Sequence, residues 1–142
     1  MSDGHCLGLA EACKFLDHKV VNRLLLQNCG ITGDQVAKIL EGVLHLKDFK
    51  AFIYKQNAFN LASIDHLKPI LHRDAPFHFE ELVLIDCNLR GAVLENLLDT
   101  LTEAKQLKKL VLIKPIHNER SFDKLVHLVK VSEHLTELDV SW

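Results

Sequence analysis

The sequence predicts an α/β fold made of stacked strand-and-helix units, and three observations carry that prediction. A phrase of alternating apolar residues returns five times along the 142 residues. The first four copies are each followed by apolar residues at helical spacing. The copies open at positions 21, 49, 79, 107 and 135, so they are 28, 30, 28 and 28 residues apart. Self-similarity at such a period marks a chain in which one supersecondary unit is laid against the next.

Residues 1–20 precede the repeats. Asp3, Glu11 and Asp17 interrupt the apolar residues there, and the segment reads as an amphipathic helix. A signal peptide would need a basic start and an unbroken apolar core, and neither is present. The helix is expected to act as a leading half-repeat or cap, or else to meet further repeats through its Leu9, Ala12 and Leu16 face. Cys6 and Cys13 fall on it, where a small buried residue suits close packing.

Residues 21–142 form the repeats. The strand phrases are Val21-x-x-Leu24-x-Leu26-x-x-Cys29-x-Ile31, Phe49-x-x-Phe52-x-Tyr54-x-x-Asn57-x-Phe59 and Phe79-x-x-Leu82-x-Leu84-x-x-Cys87-x-Leu89. Leu107-x-x-Leu110-x-Leu112-x-x-Pro115 follows, and then Leu135-x-x-Leu138-x-Val140. With the first residue of each copy as position one, positions four and six alternate with polar or variable neighbours. That is the two-residue period of a half-buried strand. Positions 16, 19 and 23 give Val36, Ile39 and Val43, then Ile64, Leu67 and Leu71, then Leu94, Leu97 and Leu101, then Phe122, Leu125 and Val129. Spacings of three and four put each set on one helix face. Each unit is thus strand, bend, helix and return loop. None can bury its apolar face alone, so the stack is the folding unit.

Departures from the pattern are equally readable. The second copy is two residues long, and the extra length falls in a loop around Pro76. Pro69 lies inside that copy's helix and is expected to kink or shorten it. Tyr54 takes an inward strand position, so its hydroxyl needs a partner. Pro115 and His117 make the fourth bend irregular. Cys29 and Cys87 share position nine, where Cys or Asn turns inward to bond backbone left unpaired by the bend. They are two strands apart, roughly 10 Å at ~4.8 Å per strand, beyond disulfide reach.

The phrase and its period resemble leucine-rich repeats of the ribonuclease-inhibitor-like class, with Leu82-Val83-Leu84-Ile85-Asp86-Cys87-Asn88-Leu89 among the most typical stretches. The resemblance covers about residues 18–142. It implies a right-handed solenoid, a horseshoe segment with parallel strands on the concave face and helices on the convex face. Members of this class include nuclease inhibitors, GTPase activators of the Ran system, innate-immune receptors and ciliary scaffold subunits, and most bind other proteins. The implied function is a non-enzymatic protein-interaction module, a scaffold segment of a larger protein or assembly. The alternative is a regulator of an enzyme, a Ran-type GTPase activator or a nuclease inhibitor.

In such a stack positions three, five and seven point out of the strand wall. Position three gives Arg23, Ala51, Glu81, Lys109 and Glu137, and position five gives Leu25, Ile53, Val83, Val111 and Asp139. Position seven gives Gln27, Lys55, Ile85, Ile113 and Ser141. The expected partner-binding set is Leu25, Ile53, Val83, Ile85, Val111 and Ile113, with Arg23, Lys55, Glu81 and Lys109 beside them. A contiguous aliphatic strip facing water marks an interaction surface, although strands of parallel sheets are often apolar on both faces. Asp86, Lys114 and Trp142 stand at position eight on the rim, where a Trp would anchor a partner. The last copy ends within a strand, so the sequence is expected either to be a fragment or to associate through that strand edge.

The remaining features exclude more than they assign. A net charge of −2 offers no field for nucleic acid or acidic lipid. Apolar runs of about five residues are far too short for a membrane span. Free thiols fit a cytoplasmic, reducing location. His5, Cys6, Cys13 and His18 cluster in sequence without the spacing of a zinc site. His72-Arg73-Asp74 echoes a kinase catalytic loop, yet Phe79 stands where the metal-binding Asn belongs. Asp17-His18 and Asp65-His66 read as surface pairs, and the group Lys105, Lys108, Lys109 and Lys114 reads as a solvated face. No cofactor or metal is expected.

Overall fold

The structure, a computed structural model, describes residues 1–16 and 20–141. His18, the Asp17–His18 pair and the rim residue Trp142 lie outside the described residues. Helices and strands alternate: α1 (Asp3–Phe15), β1 (Arg23–Gln27), α2 (Gly33–Val43), β2 (Ala51–Lys55), α3 (Leu61–Leu71), β3 (Glu81–Ile85), α4 (Gly91–Thr102), β4 (Lys109–Ile113), α5 (Glu119–Val131) and β5 (Glu137–Ser141). The strands form one open, all-parallel sheet in the order β1-β2-β3-β4-β5. Arg23 pairs with Ala51, then Glu81, Lys109 and Glu137 follow in line, so partners are offset by the same 28, 30, 28 and 28 residues as the sequence copies.

Positions four and six of β1 to β4, position six of β5 and apolar residues of all five helices share one core, which includes Leu26, Phe52, Tyr54, Leu82, Leu84, Leu110 and Leu112. A second cluster of Ile53, Val83 and Val111 contains no helix residue. The helices therefore cover one face of the sheet and leave the other open. Each fully buried Leu or Phe contributes roughly 1.5–3 kcal/mol, which makes the helix-covered face the source of most stability.

Local chemistry explains why each helix starts where it does. Ser2, Thr32, Asn60 and Asn118 accept a hydrogen bond from the backbone N–H three residues on, and the side chain there bonds back. Such caps satisfy donors that the first helical turn leaves open. Arg90 holds this place before α4 and makes no side-chain cap. Arg73 donates to the carbonyls of Leu46 at 2.8 Å, Val43 at 3.3 Å and Leu44 at 2.5 Å, closing the C-terminus of α2. Burial lowers its guanidinium pKa.

The buried face of α1 is Cys6, Ala10 and Cys13, with Ala10 pressed against α2 and Ala12 exposed. A Cβ on Gly42 would lie 2.3 Å from the Ala10 carbonyl oxygen, so only glycine allows this approach. Pro69 does not shorten α3, which spans 11 residues like α2. It sits near the C-terminal end, where few backbone bonds remain to be lost. Phe122 and Val129 are 50% and 46% exposed, since among the described residues α5 has a helix neighbour on one side only.

Candidate interaction surface

The open face is built by positions three, five and seven of five strands in register. After each of β1 to β4 the chain turns through a left-handed residue at position eight: Asn28 (φ 48°), Gln56 (φ 54°), Asp86 (φ 55°) and Lys114 (φ 60°). Their N–H groups donate to the carbonyls of Lys55, Ile85, Ile113 and Ser141 of the next strand at 2.7–3.0 Å. These turns hold adjacent strand ends together. Position nine then locks them. Asn57 Oδ1 accepts from the N–H groups of Cys29 at 2.9 Å and Ile31 at 3.2 Å, while its Nδ2 donates to the Lys55 and Leu26 carbonyls at 2.8 and 3.4 Å.

Cys87 Sγ does the same work one repeat later, donating to the Tyr54 and Ile85 carbonyls. Burial pushes its thiol up to about 11. Burial also raises the thiols of Cys6 and Cys13. All four cysteines are free thiols. The Tyr54 hydroxyl donates to the Ala58 carbonyl at 2.8 Å, and burial raises its pKa.

On this frame the position-five side chains make a ladder. Its exposure differs from the sequence expectation. Leu25, at the β1 edge, is 53% exposed, but Ile53, Val83 and Val111 are only 4–7% exposed. Branched side chains ~4.8 Å apart pack against one another. Ile85 and Ile113 at position seven pack against them. Ile85, Ile113 and Lys55 are half-buried. The aliphatics thus form the floor of a shallow groove of about 260 Å³, lined by Arg23, Leu25, Ile53, Lys55, Glu81, Val83, Lys109 and Val111.

The charges beside the floor alternate in sign. Glu81 reaches Arg23 at 3.6 Å and Lys109 at 3.9 Å, and Lys109 reaches Glu137 at 2.8 Å. The carboxylate of Glu137, then that of Glu81, hold the Lys109 ammonium above its ordinary pKa. Lys55 makes no ion pair among the described residues. A parallel row at position two was not foreseen. Glu80 contacts His78 at 3.1 Å, Lys108 at 3.3 Å and Lys50 at 3.5 Å. Burial alone would raise its carboxyl, but Lys108 and Lys50 together hold it below the usual range. The signal was present in the sequence, as Lys50, Glu80 and Lys108 share position two and alternate in sign.

The expected site residues therefore come together on one face, with Leu25 and Arg23 the most accessible. Asp86 and Lys114 pair at 2.9 Å along the rim. His72 and Arg73 serve helix ends, and His66 Nδ1 lies 2.9 Å from the carbonyl of Ala62 within α3. Among the described residues no three His, Cys, Asp or Glu side chains are grouped to hold a metal ion. No helix of the described residues is long and apolar enough to cross a membrane. No protein-family model matches the chain, and no curated protein matches it.

Proposed function

We propose that the chain is a leucine-rich-repeat segment of the ribonuclease-inhibitor-like class, acting as a non-enzymatic module that binds a protein through the open face of its sheet. The supporting observation is the helix-free face itself: an aliphatic floor flanked by ordered charges, with Leu25 exposed at its β1 edge. An apolar floor supplies affinity and flanking charges supply orientation and partner choice. Position-eight turns and the Asn57 network hold the strand ends in place, so little ordering is needed on binding.

The test is affinity capture of the tagged chain from its native cells, read by quantitative mass spectrometry. Leu25→Asp combined with Lys55→Glu is expected to remove a stoichiometric partner that Lys38→Glu, an exposed change on α2, retains. A partner kept by the open-face variant and lost by the helix-face variant defeats the proposal. Adding the purified chain to the captured partner then separates a scaffold, which leaves turnover unchanged, from an enzyme regulator, which alters it.

A further inference from the structure

The middle of the open face, on β2, β3 and β4, has a strand on either side of each member. There Ile53, Val83 and Val111 form the floor, and the half-buried Ile85 and Ile113 pack against it. The charges that flank these apolar rows are matched within the chain. Glu81 meets Arg23 and Lys109, Lys109 meets Glu137, and on the other flank Asp86 meets Lys114. Of the charged side chains at positions three, five and seven of β1 to β4, Lys55 alone has no charged partner among the described residues. It is half-buried, and its register neighbours are the uncharged Gln27 on β1 and Ile85 on β3.

We infer that the occupant of this face is an amphipathic helix of a partner protein. It lies across the strands, with an acidic side chain at Lys55 and aliphatic side chains on Ile85 and Ile113. The inference rests on the open face being the binding surface. Its direction follows from the rows. Side-chain chemistry changes along a strand, as from Glu81 through Val83 to Ile85, but apolar character persists from strand to strand at position five. A partner with one apolar stripe therefore runs across the sheet.

Backbone and spacing select a helix. β2, β3 and β4 are paired on both edges, so none is free to accept an added strand. An extended segment crossing the floor would leave its own N–H and C=O groups unpaired over apolar side chains, whereas a helix satisfies them internally. Lys55, Ile85 and Ile113 stand in register on successive strands, ~4.8 Å apart. With a rise of ~1.5 Å per residue, residues i, i+3 or i+4, and i+7 share a helix face at roughly 5 and 10 Å along the axis. Those are one and two strand spacings. Same-face residues of an extended segment are ~6.6 Å apart and fall out of step by the second strand. Charge then sets the end residue. A covering helix removes water from the Lys55 ammonium, and a carboxylate at that end supplies the partner the chain lacks.

Selection from a displayed library tests this. The probe is a stable three-helix scaffold with one outward helix face randomised at positions i, i+3, i+4 and i+7, selected against the purified full chain. Selected faces are expected to carry Asp or Glu at one end of the stripe and aliphatics along the rest. Such binders are expected to lose roughly tenfold in affinity for Lys55→Glu. Selection against Lys55→Glu is expected to exchange the acid for Lys or Arg. Thermal melts check the fold of each variant, and Lys55→Gln repeats the affinity comparison if Lys55→Glu melts early. Binders without acidic preference that are lost on Ile113→Thr overturn the inference and leave the open-face reading standing. Binders indifferent to both Lys55→Glu and Ile113→Thr overturn the inference and count against that reading too. A library that yields no binder overturns the helical occupant.

Discussion

Leu82 and Leu138 occupy the same place in their repeats and lie in one line across the sheet, through Leu110. Leu82 is fully buried, whereas Leu138 is 41% exposed. The residue type, the strand and the facing direction are shared. What differs is the neighbours, since β3 has a strand and a helix on each side and β5 has them on one. Burial in this chain is conferred by stacking and not by the single unit, as expected where each repeat meets only its neighbours.

Leu82→Ala and Leu138→Ala turn that comparison into the largest expected effect. The first should cost roughly 2–5 kcal/mol and the second below about 1 kcal/mol, as read by urea unfolding of each variant at low concentration. Equal costs would mean that the end repeats are packed as well as the middle ones. Gly42→Ala sharpens the same point at the other end. Its new Cβ would meet Ala10 backbone at 2.3–2.7 Å, so α1 must shift, at about 1–3 kcal/mol. Hydrogen exchange should show α1 losing protection before β3 in that variant.

The smallest effect is electrostatic. Burial lowers the His117 pKa, and Lys108 and Lys50 lower that of Glu80 against the opposing effect of its own burial. A depressed folded-state pKa gives stability that is present above the unfolded value and lost as pH falls through the folded one. Stability should therefore decline first below about pH 6.5 for His117 and then below about pH 4.5 for Glu80. His117→Gln should flatten the first step in a series of thermal melts, and an unchanged pH profile would remove His117 as its source.

The register of the whole sheet was legible because strand partners must stand where the 28-residue phrase recurs. Asn57, Cys87 and Tyr54 were legible for a related reason, since a buried polar group implies a partner. The exposure of the open face was not. Ile53, Val83 and Val111 alternate like solvent-facing residues, yet their burial comes from side chains on adjacent strands, which a one-dimensional period does not contain. The role of Arg73 was hidden for the same reason, because its carbonyl partners are 27–30 residues away.

Binding titration of the captured partner against the parent chain and Leu25→Asp, with thermal melts of both, tests the open-face account most directly. Leu25 is half-exposed, so its replacement should leave stability within about 0.5 kcal/mol. The account predicts at least a tenfold rise in Kd, about 1.4 kcal/mol, with an unchanged Tm. An unchanged Kd at that same Tm would contradict it.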